Sequence, residues 1–89
     1  MQLDVAALRQ RLTVADGGWS MQLGLHGTPA GALAESANLT HPHLVVQLAR
    51  EYVAAGAQII TTNTFAANRF TLARRGMLDG LREMNIAGA

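Results

Sequence analysis

The sequence has no cysteine among its 89 residues, and its seven basic residues are all arginines dispersed along the chain. Without cysteine, this chain alone can build neither a disulfide framework nor a thiolate metal site. The net charge is only +1, and there are only four aromatic residues. Because a nucleic-acid surface needs clustered positive charge or stacking aromatics, we expect no nucleic-acid partner.

Long apolar runs are also missing, since no stretch approaches the roughly 20 residues that a membrane span requires. Residues 1–12 lack the basic start and apolar block of a secretory signal. We therefore expect a cytoplasmic protein with no membrane partner. Hydrophobic residues make up 49% of the chain and charged residues 15%, which favours a buried core over disorder. The length suits one small domain.

The first half of the chain predicts a helix, a short strand and a long irregular connection. Asp4 is suited to cap a helix over residues 5–11, and the apolar, partly β-branched residues 12–15 predict a first strand. Glycines and a proline are frequent in residues 24–38, which predicts a loop there, with a turn of helix around residues 32–36.

The second half predicts a clearer alternation of helix and strand. Residues 42–55 have an apolar stripe at helical spacing and begin with a proline, so they predict an amphipathic helix. Residues 58–60 predict a second strand, residues 67–75 a short helix ended by Gly76, and residues from Asp79 onward a last helix. This order indicates an α/β fold with a parallel sheet.

Two parallel strands do not make a stable sheet alone, because such sheets are covered on both faces. The last predicted helix also reaches the final residue without a capping residue. We therefore expect residues 1–89 to be the opening portion of a larger α/β domain. The alternative is a small protein that depends on a partner chain.

Polar residues follow both predicted strands at their carboxyl ends, where parallel α/β folds bind ligands. Asp16, Gly17 and Gly18 follow the first strand, and a run of threonines and an asparagine, residues 61–64, follows the second. An ordinary strand-to-loop turn has the same composition as the first group. The threonines also suit a structural role in which they satisfy free backbone groups at a strand end.

Three stretches together resemble the homocysteine S-methyltransferase family, which includes betaine–homocysteine methyltransferases and the first module of cobalamin-dependent methionine synthase. They are the opening strand and turn VADGGWSMQL at residues 14–23, the helix from HPHLV to YVAAGA at residues 41–57, and ITTNTFAAN at residues 60–68. Asn85 lies where the family often has an asparagine in its next helix. Residues 19–21, Trp-Ser-Met, differ from the Met-Gly-Thr of many members.

The resemblance implies a (β/α)8 TIM barrel, which typically takes about 250 residues. This chain would supply the N-terminal part, the first two β/α units, and would need the rest of the barrel or a partner chain. The resemblance also implies zinc as cofactor, held by cysteines from later strands. Those ligands are not in this chain.

The reaction that the resemblance implies is transfer of a methyl group from a donor to the thiolate of homocysteine, which forms methionine. Asp16 would then receive the substrate ammonium. Backbone N–H groups of residues 18–20 would face its carboxylate, because successive N–H groups after such a turn form an anion-binding nest. The expected substrate-binding residues are Asp16, Gly17, Gly18, Trp19, Ser20, Thr62, Asn63, Thr64 and Phe65.

Other interpretations remain open at this stage. The chain could be a non-catalytic remnant or an interaction module that pairs with another chain. A phosphate-binding α/β protein that uses the Gly17-Gly18 turn is disfavoured, because no G-x-G-x-x-G or P-loop pattern is present. His41 and His43 flank Pro42 and are interpreted as a solvated helix start rather than a metal pair, and His26 as a loop residue.

Overall fold

The computed structural model describes residues 4–29 and 31–89, and helices form most of the regular structure in these ranges. Residues 1–3 and Ala30 lie outside the described residues. Residues 1–3 belong to the N-terminal stretch that lacks the features of a secretory signal, and Ala30 belongs to the predicted loop. The α-helices are α1 (Val5–Arg9), α2 (Ser20–Leu25), α3 (Ala37–Thr40), α4 (Pro42–Ala54), α5 (Arg69–Arg74) and α6 (Leu81–Gly88). Short 3-10 turns, Ala34–Ser36 and Leu78–Gly80, precede α3 and α6.

Local sequence signals explain where several helices begin and end. The Asp4 side chain caps α1 by accepting from the Ala7 N–H at 3.1 Å, and Asn68 caps α5 by accepting from the Thr71 N–H at 3.0 Å. Gly56 follows α4 with a φ of 111°, and Gly76 follows α5 with a φ of 67°. Glycine tolerates this left-handed conformation, which lets the chain turn sharply at the end of a helix.

The two predicted strands lie side by side and parallel, but they form only one isolated bridge, between Ala15 and Ile59. The Gln58 N–H donates to the Val14 carbonyl at 2.6 Å, and the Asp16 N–H donates to the Ile59 carbonyl at 2.9 Å. Within the described ranges the pairing does not extend into a regular strand. Within these ranges neither segment pairs with a further strand, and no neighbouring strand stabilises a longer hydrogen-bonded ladder.

The segment predicted as an irregular connection contains a helix that the sequence did not reveal. Part of residues 24–38 belongs to α2, which runs through Gly24 and ends before Gly27, whose φ is 112°. Gly24 is tolerated because the buried Leu23 anchors the helix. The helical turn expected at residues 32–36 is present as the 3-10 turn Ala34–Ser36.

Two small apolar clusters hold the helices together. The first contains Leu23, Ala37 and Leu48, with Trp19 and Tyr52 packed against it. The second is built from α5, α6 and the segments beside them, and its buried members are Leu33, Ala67, Leu72 and Met84. Met84, in the last predicted helix, is 3% exposed and is thus a core residue of this cluster.

Much apolar surface remains outside these clusters. Leu12 is 92% exposed and Phe65 is 95% exposed. The chain measures 44 × 25 × 18 Å with a radius of gyration of 14.3 Å, whereas a compact domain of this length has about 12 Å. A surface of this kind is typical of a segment that packs against further structure. None of the helices in the described ranges has the length and apolarity needed to cross a membrane.

Candidate functional site

Asp16 connects the two polar segments that follow the bridged residues. Its Oδ2 atom accepts a hydrogen bond from the Trp19 indole at 2.8 Å. The same oxygen accepts from both the N–H and the hydroxyl of Thr61, each at 2.9 Å. The turn at residues 16–19 and the segment from residue 61 onward are therefore held in direct contact, as their placement at neighbouring strand ends leads one to expect.

The charge of Asp16 is stabilised by these contacts. Partial burial on its own raises the pKa of the Asp16 carboxyl, but the hydrogen bonds from Trp19 and Thr61 outweigh it, so that the pKa lies below its usual value. Asp16 is therefore ionised at neutral pH. Its Oδ1 atom receives no hydrogen bond from residues 4–29 or 31–89 and can accept one from a ligand.

The turn after Asp16 packs tightly against α4. The Tyr52 hydroxyl donates to the Gly18 carbonyl at 2.5 Å. A Cβ atom on Gly17 would lie 3.1 Å from the Tyr52 hydroxyl oxygen, so only glycine fits without a shift. The Trp19 and Tyr52 rings pack at a centroid distance of 6.1 Å with a tilt of 41°. Tyr52 thus fixes the turn whose N–H groups are predicted to face a carboxylate.

The second polar segment also contains three further predicted residues, Thr62, Thr64 and Phe65. The Thr62 and Thr64 hydroxyls share a hydrogen bond at 2.7 Å, and the Thr64 N–H donates to the Thr62 carbonyl at 2.9 Å. Phe65 projects its ring into solvent. The Thr62 and Phe65 side chains are exposed, whereas Thr64 is half-buried and faces Gly88 of α6.

Asn63 differs from its neighbours, because it is only 4% exposed and has structural partners. Its Nδ2 atom donates to the Ala34 carbonyl at 3.0 Å and to Asn38 Oδ1 at 2.9 Å. In return, Asn38 Nδ2 donates to the Asn63 carbonyl at 2.8 Å and to the Met84 carbonyl at 3.0 Å. The amide donors of Asn63 are thus used by the fold, so a predicted substrate contact would have to use its oxygen.

A cleft of about 440 Å³ brings most of the predicted residues together. Of the predicted set, it is lined by Trp19, Ser20, Thr62, Asn63 and Phe65, with Thr61 beside them. Asp16, Gly17, Gly18 and Thr64 are not among its lining residues. The remaining wall is formed by Ala32, Leu33, Ala34, Glu35, Ala66 and Arg75.

Glu35 and Arg75 are charged residues of the cleft that the sequence interpretation did not place there. Glu35 follows a glycine-rich segment and falls in the turn of helix expected at residues 32–36, where the sequence pattern indicated no role for it. Arg75 is the last residue of the helix predicted over residues 67–75, where a solvated basic side chain is favoured by the helix dipole. The sequence signal for Glu35 is its position between two apolar residues, Leu33 and Ala37. Both are buried, and they flank the 3-10 turn that contains Glu35.

The described residues offer no group of three potential ligands for a metal ion. The His41 and His43 rings lie 6.3 Å apart, and His26 is engaged elsewhere. His26 Nδ1 contacts the Gln22 carbonyl at 2.7 Å, and its Nε2 pairs with Glu51 Oε2 at 2.9 Å. Together with the absence of cysteine from the sequence, this donor set does not fit the tetrahedral zinc site that the family resemblance implies.

Comparison with known families identifies the chain. The family described as "Homocysteine S-methyltransferase" matches residues 13–89. The chain therefore belongs to the homocysteine S-methyltransferase family, which confirms the resemblance seen in its motifs.

Three proteins named "Betaine--homocysteine S-methyltransferase 1" are similar to this chain. Those of Xenopus tropicalis and Xenopus laevis are each 38% identical over 66 residues, and that of Pongo abelii is 36% identical over the same length. The matches cover 73% of this chain but only 16% of each relative. The chain thus corresponds to about a sixth of the length of these relatives. No solved structure matches it significantly.

Proposed function

We propose that this chain contributes the amino-acid-binding portion of a homocysteine S-methyltransferase, in which the homocysteine sulfur receives a methyl group and methionine forms. The observation that carries the proposal is the Asp16 carboxylate, which in a chain of this family accepts hydrogen bonds from Trp19 and Thr61, two residues that line the cleft. The proposed architecture is the first two β/α units of a (β/α)8 barrel. The parallel bridge between Ala15 and Ile59 supports it.

Homocysteine is a zwitterion, so its binding needs an acceptor for the ammonium and donors for the carboxylate. In the proposed mode, Asp16 Oδ1 accepts from the ammonium, and the lowered pKa of Asp16 keeps this oxygen negative at neutral pH. The N–H groups of residues 18–20 face the substrate carboxylate across the Gly17-Gly18 turn. Tyr52 holds that turn through the Gly18 carbonyl.

The reacting end of the substrate would lie toward the second polar segment. The thiol loses its proton, the sulfur forms a bond to the methyl carbon, and the bond from that carbon to the donor breaks. Thr62 and Thr64 would supply polar contacts there, and the exposed Phe65 ring would supply an apolar wall beside the methyl group. Zinc, if the whole protein carries it, would be held by residues outside this chain.

A second candidate, an interaction module that packs on another chain, is favoured by the exposure of Leu12 and Phe65. Both proposals share the requirement that this apolar surface be covered, either by the rest of a barrel or by a partner chain. They differ in whether the cleft binds an amino acid.

The location of bound homocysteine tests the first proposal. In an amide NMR titration of the full chain with L-homocysteine, we expect the largest shifts at residues 16–20 and at Thr61 and Thr62. Homoserine, which has a hydroxyl in place of the thiol, should shift the same signals if the amino-acid end makes the contacts. Shifts confined to the outer surface of α5 would contradict the proposal.

A further inference from the structure

Glu35 is a buried acidic residue in the wall of the cleft. Its side chain is only 6% exposed, and Oε2 accepts a hydrogen bond from the Ala66 N–H at 3.1 Å. Among residues 4–29 and 31–89, no arginine or histidine nitrogen lies within 4.0 Å of this carboxylate. The carboxylate therefore lies in the protein without a cationic partner from the described residues.

The hydrogen bond to Ala66 does not account for a carboxylate at this position. A glutamine would offer the same N–H an amide oxygen from the same distance along the side chain. Burying a carboxylate without a counter-charge costs considerably more than burying a neutral amide. A carboxyl group at a position where an amide would serve the Ala66 N–H therefore points to a contact beyond the one with Ala66, and the cleft that Glu35 lines is where a cation can reach it.

Arg75 lines the same cleft and has the opposite charge. Its Nη1 atom donates to the Gly31 carbonyl at 3.1 Å, which fixes the direction of the side chain. A guanidinium has five N–H groups, so most of them are still able to bind a carboxylate in the cleft. Asp16 contributes less to this space, because its Oδ2 atom already accepts three hydrogen bonds and the residue is not part of the lining.

We propose that Glu35 and Arg75 form a zwitterion subsite in the cleft, in which Glu35 contacts the cationic centre of a ligand and Arg75 binds its carboxylate. The exposed Phe65 ring in the same cleft suits a methylated cation, which aromatic faces attract. The inference rests on the proposed function. The ligand that fits is a carboxylate-bearing methyl donor such as betaine, because the proposed function already places the ammonium and carboxylate of homocysteine on the Asp16 turn.

The test is an amide NMR titration of the full chain with betaine and, separately, with L-homocysteine. Glu35→Gln keeps the acceptor for the Ala66 N–H and removes the charge. We expect it to weaken betaine binding about tenfold, the effect of losing one charge-assisted contact, and to leave homocysteine binding unchanged. Arg75→Gln should weaken betaine binding as well. Loss of homocysteine affinity without loss of betaine affinity would contradict the assignment of a methyl donor to this subsite.

Matched controls are available on the exposed surface. Glu83→Gln in α6 and Arg74→Gln in α5 make the same charge changes outside the cleft lining, and both should leave the affinities unchanged. If Glu35→Gln binds both ligands as tightly as the unaltered chain does, Glu35 only positions Ala66 and the proposal is overturned.

A comparison of ligands on the unaltered chain keeps the test valid if Glu35→Gln fails to fold. Choline lacks the carboxylate of betaine, and 3,3-dimethylbutanol is a neutral molecule with the shape of choline. The expected order of affinity is betaine, then choline, then the neutral alcohol. Equal binding of choline and the alcohol would exclude the cation contact, and so would the absence of shifts with all probes.

The outcomes also separate this inference from the proposed function. If homocysteine binding depends on Asp16 but neither ligand depends on Glu35, the proposed function stands and the zwitterion subsite is wrong. If betaine binding depends on Glu35 while homocysteine does not bind, the subsite stands and the proposed homocysteine site is wrong.

Discussion

At the scale of single residues, Asp16 joins two segments that are 45 positions apart in the sequence. The pattern of an aspartate and two glycines after a predicted strand was enough to single out this turn. The pattern did not show that Thr61 would donate to Asp16 from both its N–H and its hydroxyl, because such a contact depends on the relative placement of two segments.

Because side-chain contacts depend on the placement of distant segments, the sequence also did not reveal the surroundings of Asn63 and Glu35. The motif placed Asn63 in a polar run, which suggested a ligand contact, yet its amide donates to Asn38 and to the Ala34 carbonyl inside the protein. Glu35 gave no motif signal, although it lines the cleft. Residue type and spacing predict which segment faces a ligand, but the direction of each side chain depends on packing between distant segments.

His26 makes a testable residue-scale contact that the interpretation as a loop residue did not anticipate. The Gln22 carbonyl and then Glu51 stabilise the protonated ring, so the pKa of His26 is raised above its usual value of about 6.5. In an NMR titration, its midpoint should therefore lie above that of an ordinary histidine. Glu51→Gln should lower this pKa only in part, because the Gln22 contact remains.

The raised pKa also predicts how stability depends on pH. A group whose pKa is higher in the folded state stabilises that state fully below its unfolded value, and the contribution is lost as pH rises through the folded value. The free energy of unfolding should therefore decrease as pH rises from about 6.5 through the raised pKa of His26. A decrease of the same size in His26→Gln would contradict this assignment.

At the scale of secondary-structure elements, the sequence predicted α4 to within one residue, because proline, an apolar stripe and a following glycine all agree. It missed α2, whose six residues include a glycine and follow two others. The two predicted strands are reduced to one bridge. Helices form from local hydrogen bonds, whereas strand length depends on neighbours that the chain sequence does not reveal.

Two helical glycines provide a matched prediction at this scale. A Cβ on Gly88 in α6 would lie 2.5 Å from Asn38 Nδ2 and 2.8 Å from Thr64 Cγ2. Gly88→Ala should therefore destabilise the chain by about 1–3 kcal/mol, as expected for overpacking. A Cβ on Gly24 in α2 would meet nothing within 4 Å, so Gly24→Ala should stabilise by about 0.5–1 kcal/mol.

Urea unfolding of the two variants and the unaltered chain provides the measurement. Gly88→Ala should lower the denaturant midpoint, because its Cβ enters the contact of α6 with Asn38 and Thr64. Gly24→Ala should raise the midpoint, because its Cβ enters open space. If both variants were stabilised, α6 would not pack against Asn38 and Thr64 as the structure shows.

At the scale of the whole molecule, the sequence predicted an apolar core that this chain does not cover completely. Composition indicated a buried core, and the strand pattern indicated that this core would need further covering. The structure has two small clusters and leaves Leu12 and Phe65 almost fully exposed. The barrel remains a proposal, since one parallel bridge between two segments is compatible with several α/β folds.

The exposed apolar surface predicts that the chain by itself associates with other copies. Light scattering after size exclusion should show a mass that rises with concentration. The double variant Leu12→Ser and Phe65→Ser should reduce this association, because it removes the two most exposed large apolar side chains. Arg69→Ser with Arg82→Ser is a control that changes exposed polar positions. Association unaffected by the first variant would show that other surfaces drive it.

The central claim is that the Asp16 turn binds the ammonium end of homocysteine, and calorimetric titration of one variant pair tests it most directly. Asp16→Asn keeps the shape of the side chain and removes its charge, while Asp79→Asn makes the same change on an exposed residue of the Leu78–Gly80 turn. We predict that Asp16→Asn weakens L-homocysteine binding at least about tenfold and that Asp79→Asn does not. Equal affinity of both variants and the unaltered chain would contradict the claim.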